Sequence, residues 1–257
     1  MMKKWIFRLA VTALVLLGFL FVIVMNPLLT YAHKTSHQQF TVYHQKSLEP
    51  GIMERLENAH RYLERSELYD HPLKLDICLN DGSVYPDLIR AIRGPAFAWG
   101  FYDKIVLQGH MHSADNYLEL NGYKWNLTQL LAHEMTHCLQ FERLGLLHSK
   151  PIKNIANWKW EGYAEYISRQ GLVPKNLKDR LQQFYESDTT AWAITFKDGT
   201  ISSREYFRYW TMVQYCLEIK QMSYRQLLAD TSGEEVIETE MREWYQRKLA
   251  STQVVLH

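Results

Sequence analysis

Cysteine, proline and glycine are all scarce in this 257-residue chain, at 3, 7 and 12 residues. Cys78, Cys138 and Cys216 lie far apart, which excludes a disulfide-stapled scaffold and reads as three buried thiols. Residues 38–250 contain no internal repeat, no low-complexity tract and no long Pro/Gly linker, so they read as one domain with two lobes. Net charge is missing too. The 29 Lys and Arg against 28 Asp and Glu leave +1, with no basic block, and that excludes a nucleic-acid partner. An apolar share of 47% with only one long apolar run excludes both a disordered tail and a multi-pass membrane protein. Aromatic residues are abundant, with 16 Tyr and 8 Trp, which points to thick packing and an aromatic-lined cleft.

The first thirty-two residues are unlike the rest. Lys3, Lys4 and Arg8 lead into an uncharged run from Leu9 to Tyr31, densest over Ala10–Met25. At about 1.5 Å rise per residue such a run spans a hydrocarbon core of roughly 30 Å. The positive flank comes first, so the N-terminus is expected in the cytoplasm and the remainder on the extracytoplasmic side. The rival reading is a cleaved signal peptide with Thr30 and Ala32 at the cut, which would make the protein secreted. The expected division is an anchor at 1–32, touching the bilayer through residues 9–31, and a domain at 33–257.

Within that domain Phe40–Tyr43 and Leu73–Leu79 alternate as strands do, and Gly51–Leu68 carries Ile52, Leu56, Ala59 and Leu63 at helical spacing. Tyr85–Ile92 predicts a short helix. Ala96–Trp99 and Lys104–Leu107 predict a hairpin with Gly100 and Asp103 in its turn. From Asn126 the pattern becomes helical, over 127–143, 158–170, 174–187, 203–219, 223–230 and 233–250, with Asn126 as a cap and Gly145 as a stop. The expected class is α+β: a strand-rich N-terminal lobe followed by a helical C-terminal lobe, preceded by one transmembrane helix.

His133-Glu134-Met135-Thr136-His137 falls inside the first of those helices. Residues i and i+4 share a helix face, so both imidazoles can reach one metal ion, and Glu134 is directed toward a water on it. Two imidazoles and a carboxylate suit zinc while keeping a position open for water. So short a motif needs context. Leu130, Leu131, Ala132 and Leu139 make the helix a buried one. Further on stands Trp158-Lys159-Trp160-Glu161-Gly162-Tyr163-Ala164-Glu165-Tyr166, where Glu161 and Glu165 again share a helix face. One carboxylate can bind metal while the other orients a ligand imidazole through its free N–H. The bland alternative is a solvated amphipathic helix. Gly162 is expected to let this helix approach the first closely. His110 and His112 read as a surface loop, and Cys138 as a buried thiol off the metal-facing side.

H-E-x-x-H followed some twenty residues later by W-x-x-E-G-x-A-E-Y resembles the gluzincins, the zinc metallopeptidase clan of thermolysin and the aminopeptidase N family. The resemblance covers roughly residues 38–230, is strongest over 126–170, and fits the minimal single-domain members. It implies a zincin-like fold: a mixed sheet lobe with an edge strand, then a helical lobe. It implies one zinc ion held by His133, His137 and Glu161, Glu134 as general base, and Glu165 orienting a ligand. Ala96–Trp99 resembles the edge strand that holds peptide substrates in thermolysin-like enzymes, which would make Phe97, Ala98 and Trp99 substrate-binding; an ordinary core hairpin is the alternative. Tyr206-Phe207-Arg208-Tyr209 resembles the aminopeptidase segment whose tyrosine stabilises the oxyanion, so Tyr206 is a catalytic candidate, with plain packing as the alternative.

The function these residues lead one to expect is a membrane-anchored metallopeptidase acting on peptide or protein substrates. Endopeptidase action is favoured, because no G-x-M-E-N type segment supplies acids for a free amine. The alternatives are an inactive membrane-anchored binding protein on the same fold, and a zinc hydrolase of a non-peptide amide.

Overall fold

A computed structural model of the chain describes residues 2–171 and 176–254. Helix α1 (Met2–Met25) contains the stretch Lys4–Met25, long and apolar enough to cross a membrane, and its most apolar window has no buried residue. The rest is a mixed α+β structure, with sheet in the N-terminal half and helices dominating the C-terminal half.

Five strands, β1 (His33–His37), β2 (Phe40–His44), β3 (Leu75–Cys78), β4 (Ala98–Phe101) and β5 (Lys104–Leu107), form one sheet in the order β1-β2-β3-β5-β4. β2, β3 and β5 are parallel neighbours, while β1 and β4 are antiparallel edges. The crossovers that parallel pairing requires are supplied by α2 (Ile52–Leu63) and α3 (Tyr85–Arg93). Val42, Ile77 and Ile105 lie side by side across the three central strands, all fully buried. The first strand of the expected hairpin sits two residues later than its pattern indicated. α2 stops at Leu63, well short of residue 68, and the turn beyond it lets Ser66 share a hydrogen bond with the Tyr163 hydroxyl at 2.7 Å.

A second, antiparallel sheet joins β6 (His110–His112), β7 (Tyr117–Leu120) and β8 (Tyr123–Asn126). His110 and His112 are therefore on a strand, not in a loop; their rings meet edge-on at 4.8 Å, and His112 stacks on Tyr117. This sheet leads directly into α4 (Leu127–Leu144), followed by α5 (Asn157–Ser168), α6 (Leu177–Glu186), a hairpin of β9 (Ala193–Thr195) and β10 (Ile201–Ser203), α7 (Arg204–Gln214), α8 (Tyr224–Ala229) and α9 (Glu234–Val254). The β9–β10 hairpin has no counterpart in the sequence reading. Positions 174 and 175 of the helix expected at 174–187 lie outside the described residues. The helix expected over 203–219 is α-helical only to Gln214 and continues as a π-helical turn, Tyr215–Ile219.

α4 is the centre of the molecule. Every residue from Leu127 to Phe141 is buried, because sheet, α2 and α5 pack around it. Its N-terminus is closed by Asn126, whose side chain accepts from Gln129 N, and by Asn116, which accepts from the backbone and hydroxyl of Thr128. Strand β4 lies so close that a Cβ on Gly100 would stand 2.4 Å from the Glu134 carbonyl oxygen. Gly162 serves a similar purpose, but not where the sequence placed it. The helix it brings near α5 is α7, where a Cβ would meet Tyr209 O and Val213 Cγ2, each at 2.7 Å. All three cysteines are free and buried.

Candidate metal centre

His133 and His137 project from the same face of α4, and Glu161 reaches them from α5. His137 Nε2 lies 3.1 Å from His133 Nε2 and 3.1 Å from Glu161 Oε2, and the third edge, His133 Nε2 to Glu161 Oε2, is 3.4 Å. A tetrahedral zinc with bonds of 2.0–2.1 Å sets its ligand atoms about 3.3 Å apart. The triangle has those dimensions. Among the described residues, no other group of three His, Cys, Asp or Glu side chains converges in this way.

The far nitrogens of the two rings determine what the near ones are. His137 Nδ1 is 2.8 Å from Gln140 Oε1. Gln140 cannot present its amide nitrogen there, because that nitrogen already donates to the Trp160 carbonyl and the Tyr224 hydroxyl. Nδ1 of His137 is therefore the donor, and Nε2 carries a lone pair. His133 Nδ1 lies 3.0 Å from Glu165 Oε1, close enough for an ion pair though off-axis for a hydrogen bond, and a carboxylate only accepts. Two imidazole lone pairs and a carboxylate oxygen thus face one another inside the protein, a donor set that a cation at its centre would satisfy. Burial opposes positive charge on His133, but Glu161 and Glu165 overcome it and push the imidazole up to about 10. The same imidazoles hold Glu161 well below the usual carboxylate range, against the effect of its burial. A proton and a metal ion compete for this position.

Behind Glu165 stands Arg169, one helical turn on and almost fully buried, its guanidinium paired with Glu165 and bonded to Gln129 Oε1 at 3.0 Å. Burial would raise Glu165, yet Arg169 and His133 hold its carboxyl below its ordinary value. Neither Gln140 nor Arg169 was recognised in the sequence. Both could have been found: Gln140 is three residues beyond His137, and Arg169 is four beyond Glu165, each on its partner's helix face. We predict that Gln140→Ala lowers metal affinity about 10- to 100-fold, as loss of an imidazole's outer partner commonly does. Titration against a competing chelator measures it; unchanged affinity would show that packing alone orients His137.

The triangle opens into a cleft of about 410 Å³. Glu134 is buried at its floor, where the Gly100 backbone N–H supports the carboxylate, while desolvation raises its pKa above the ordinary value. Phe97, Ala98 and Trp99 line one side, and β4, which carries Ala98 and Trp99, is the unpaired edge of the main sheet. Tyr206, in the first turn of α7 under the Ser203 cap, lines the cleft with its ring parallel to His133 at 5.9 Å. Burial, and then the neighbouring carboxylates, raise its pKa well above normal, so the phenol keeps its proton. Trp160 stacks on His137 in the same way at 5.7 Å. Cys138 turns away from the triangle, toward the Lys104 carbonyl. The structure therefore brings together His133, Glu134, His137, Glu161, Glu165, Tyr206 and the Phe97–Trp99 segment, and leaves His110 and His112 outside the cluster. No known protein family, curated protein or solved structure matches this chain.

Proposed function

We propose that the protein is a zinc-dependent peptidase of gluzincin type on a zincin-like fold, anchored in a membrane by α1 with its domain on the extracytoplasmic side. The observation that carries this reading is the triangle of His133, His137 and Glu161 with Glu134 beside it on the floor of an open cleft. The donor set and its spacing fit zinc. Zinc held there supplies a Lewis acid for a carbonyl oxygen and lowers the pKa of a water.

The chain's own residues do the rest. Glu134, desolvated and raised, is tuned to take a proton from that water and return it to the leaving amine nitrogen. Tyr206, a phenol at the edge of the same site, donates to the carbonyl oxygen as negative charge grows on it. The unpaired edge of β4 accepts an extended backbone by main-chain hydrogen bonds, with Phe97, Ala98 and Trp99 against the side chains. Glu134 and Glu161 are the only acidic side chains among the described residues that line the cleft, and both are committed to the chemistry. None is left to hold a free amino group, which favours endopeptidase action.

The test uses the full-length protein in detergent. About one equivalent of zinc is expected, with internal cleavage of amine-blocked peptides that stops on chelation and returns with zinc. Cleavage that depends on a free amine would make it an aminopeptidase. Zinc binding without hydrolysis of any peptide would sink the reading and leave the hydrolase of a non-peptide amide or a binding protein.

A further inference from the structure

α1 does not hang free of the domain. The Val24 carbonyl accepts from the Tyr85 hydroxyl at 2.6 Å, the Thr30 carbonyl accepts from Ser83 Oγ at 3.0 Å, and the Tyr31 hydroxyl donates to the Leu79 carbonyl at 2.8 Å. Pro27 and Tyr31 are buried, and Val24 and Tyr31 pack in one cluster with Cys78, Tyr85, Ile89 and Val106. Cutting the chain after Ala32 would strip a wall from this cluster and leave Tyr85, Ser83 and Leu79 without their partners, at the cost that buried unpaired groups carry. The last turn of α1 and the segment after it belong to the folded domain.

The same cluster reaches the cleft. Trp99 packs against it and also lines the cleft. α3 makes the connection twice over: Tyr85 at its start touches Val24, and Arg93 at its end lies 4.7 Å over the Trp99 ring and on the cleft rim. Nine residues of α-helix span about 13 Å, so one short helix and the reach of the side chains at its two ends separate the rim from the end of the apolar helix.

α3 and the Val84 that caps it also carry a stripe that the core does not use. Val84, Leu88 and Ile92 recur every fourth residue beside the buried Tyr85–Ile89 row, with Val84 67% and Ile92 50% exposed. Leu28 and Leu29, on the short turn that leaves α1, are 51% and 62% exposed. Arg90, paired with Asp87 at 2.7 Å, and Arg93, over Trp99, stand exposed beside the stripe and leave this face a net positive charge. An apolar strip with a net basic flank, tied to the end of α1 through Ser83 and Tyr85, has the chemistry of a bilayer-surface helix.

We propose that α1 is retained as an anchor built into the domain, and that Leu28, Leu29 and the Val84–Ile92 stripe rest on the bilayer in which α1 sits, holding the cleft mouth at the lipid–water interface. Taken with the peptidase reading above, on which this part rests, the substrates are polypeptide chains held at the membrane surface.

The experiment places the full-length chain in phosphatidylcholine–phosphatidylglycerol nanodiscs, with a fluorophore on Val84→Cys, Ile92→Cys or, as a control on α9, Val236→Cys. The native thiols are buried and escape labelling. Lipid-borne quenchers should quench the labels at 84 and 92 and spare the one at 236. Labels at 84 and 92 that stay bright, or a protein recovered from cells already shortened by about 32 residues, would overturn the proposal. A linker of about ten Gly and Ser residues inserted between Met25 and Asn26 gives up the Val24–Tyr85 contact, keeps the Thr30 and Tyr31 bonds to the domain, and frees the domain from the surface. It should abolish the quenching and lower cleavage of a bilayer-anchored peptide about ten-fold, while cleavage of the free peptide stays the same. No change in either would count against the proposal. If the wild type cleaves neither peptide, the peptidase reading fails, and the quenching still decides where the cleft lies.

Discussion

Glu134→Gln is expected to lower peptide hydrolysis by roughly a hundred- to ten-thousand-fold while bound zinc stays near one equivalent. The amide keeps the shape of the carboxylate and its place over Gly100, so the helix–strand packing around it has no reason to change. What disappears is a base in a desolvated site, and no other uncommitted carboxylate lines the cleft among the described residues to replace it. Turnover and metal content measured on the same preparation decide the matter. Activity equal to wild type with zinc in place would remove the metal-activated water mechanism altogether.

Glu161→Ala, by contrast, is expected to empty the centre, and so are His133→Ala and His137→Ala. Each removes one corner of a triangle whose edges are 3.1–3.4 Å and leaves two donors, too few for a tight zinc site. Glu165→Ala should behave differently. It takes away the partner of His133 Nδ1 and leaves Arg169 buried without its counter-charge, so affinity falls while some zinc remains, and the protein loses about 3–5 kcal/mol of stability. Metal analysis with thermal unfolding of the four variants separates ligand from support. Full zinc in Glu161→Ala with none in Glu165→Ala would exchange the two roles. Because His133 is pushed up to about 10 by its carboxylate neighbours, zinc must displace a proton to bind, and loading should weaken as pH falls.

The sequence was most legible where one element carries the whole signal. His133 and His137 on one helix face, and Glu161 with Glu165 on another, follow from helical spacing alone, because the period of an α-helix is fixed by its backbone. The central strands and the C-terminal helices α4 to α9 were readable for the same local reason. The second sheet and the β9–β10 hairpin were not. Strands of three residues, such as His110–His112 and Ile201–Ser203, carry too few alternations to stand out and exist because a neighbour pairs with them.

What the sequence determined by itself, then, was the apolar N-terminal segment, the α+β class and the two pairs of side chains at helical spacing. Only the tertiary structure decided that α4 and α5 meet so that three donor atoms converge, because that distance depends on packing across the core. It decided that Gln140 fixes the tautomer of His137, since only the competing bonds to Trp160 and Tyr224 determine which end of the amide is presented. It decided that Gly162 admits α7 and not α4, since a missing side chain marks a close approach without naming the partner. And it decided that the segment Val24–Tyr31 is packed into the domain, because hydropathy measures how apolar a run is, while burial of Tyr31 against Leu79 and Tyr85 depends on a surface built from residues some fifty positions away.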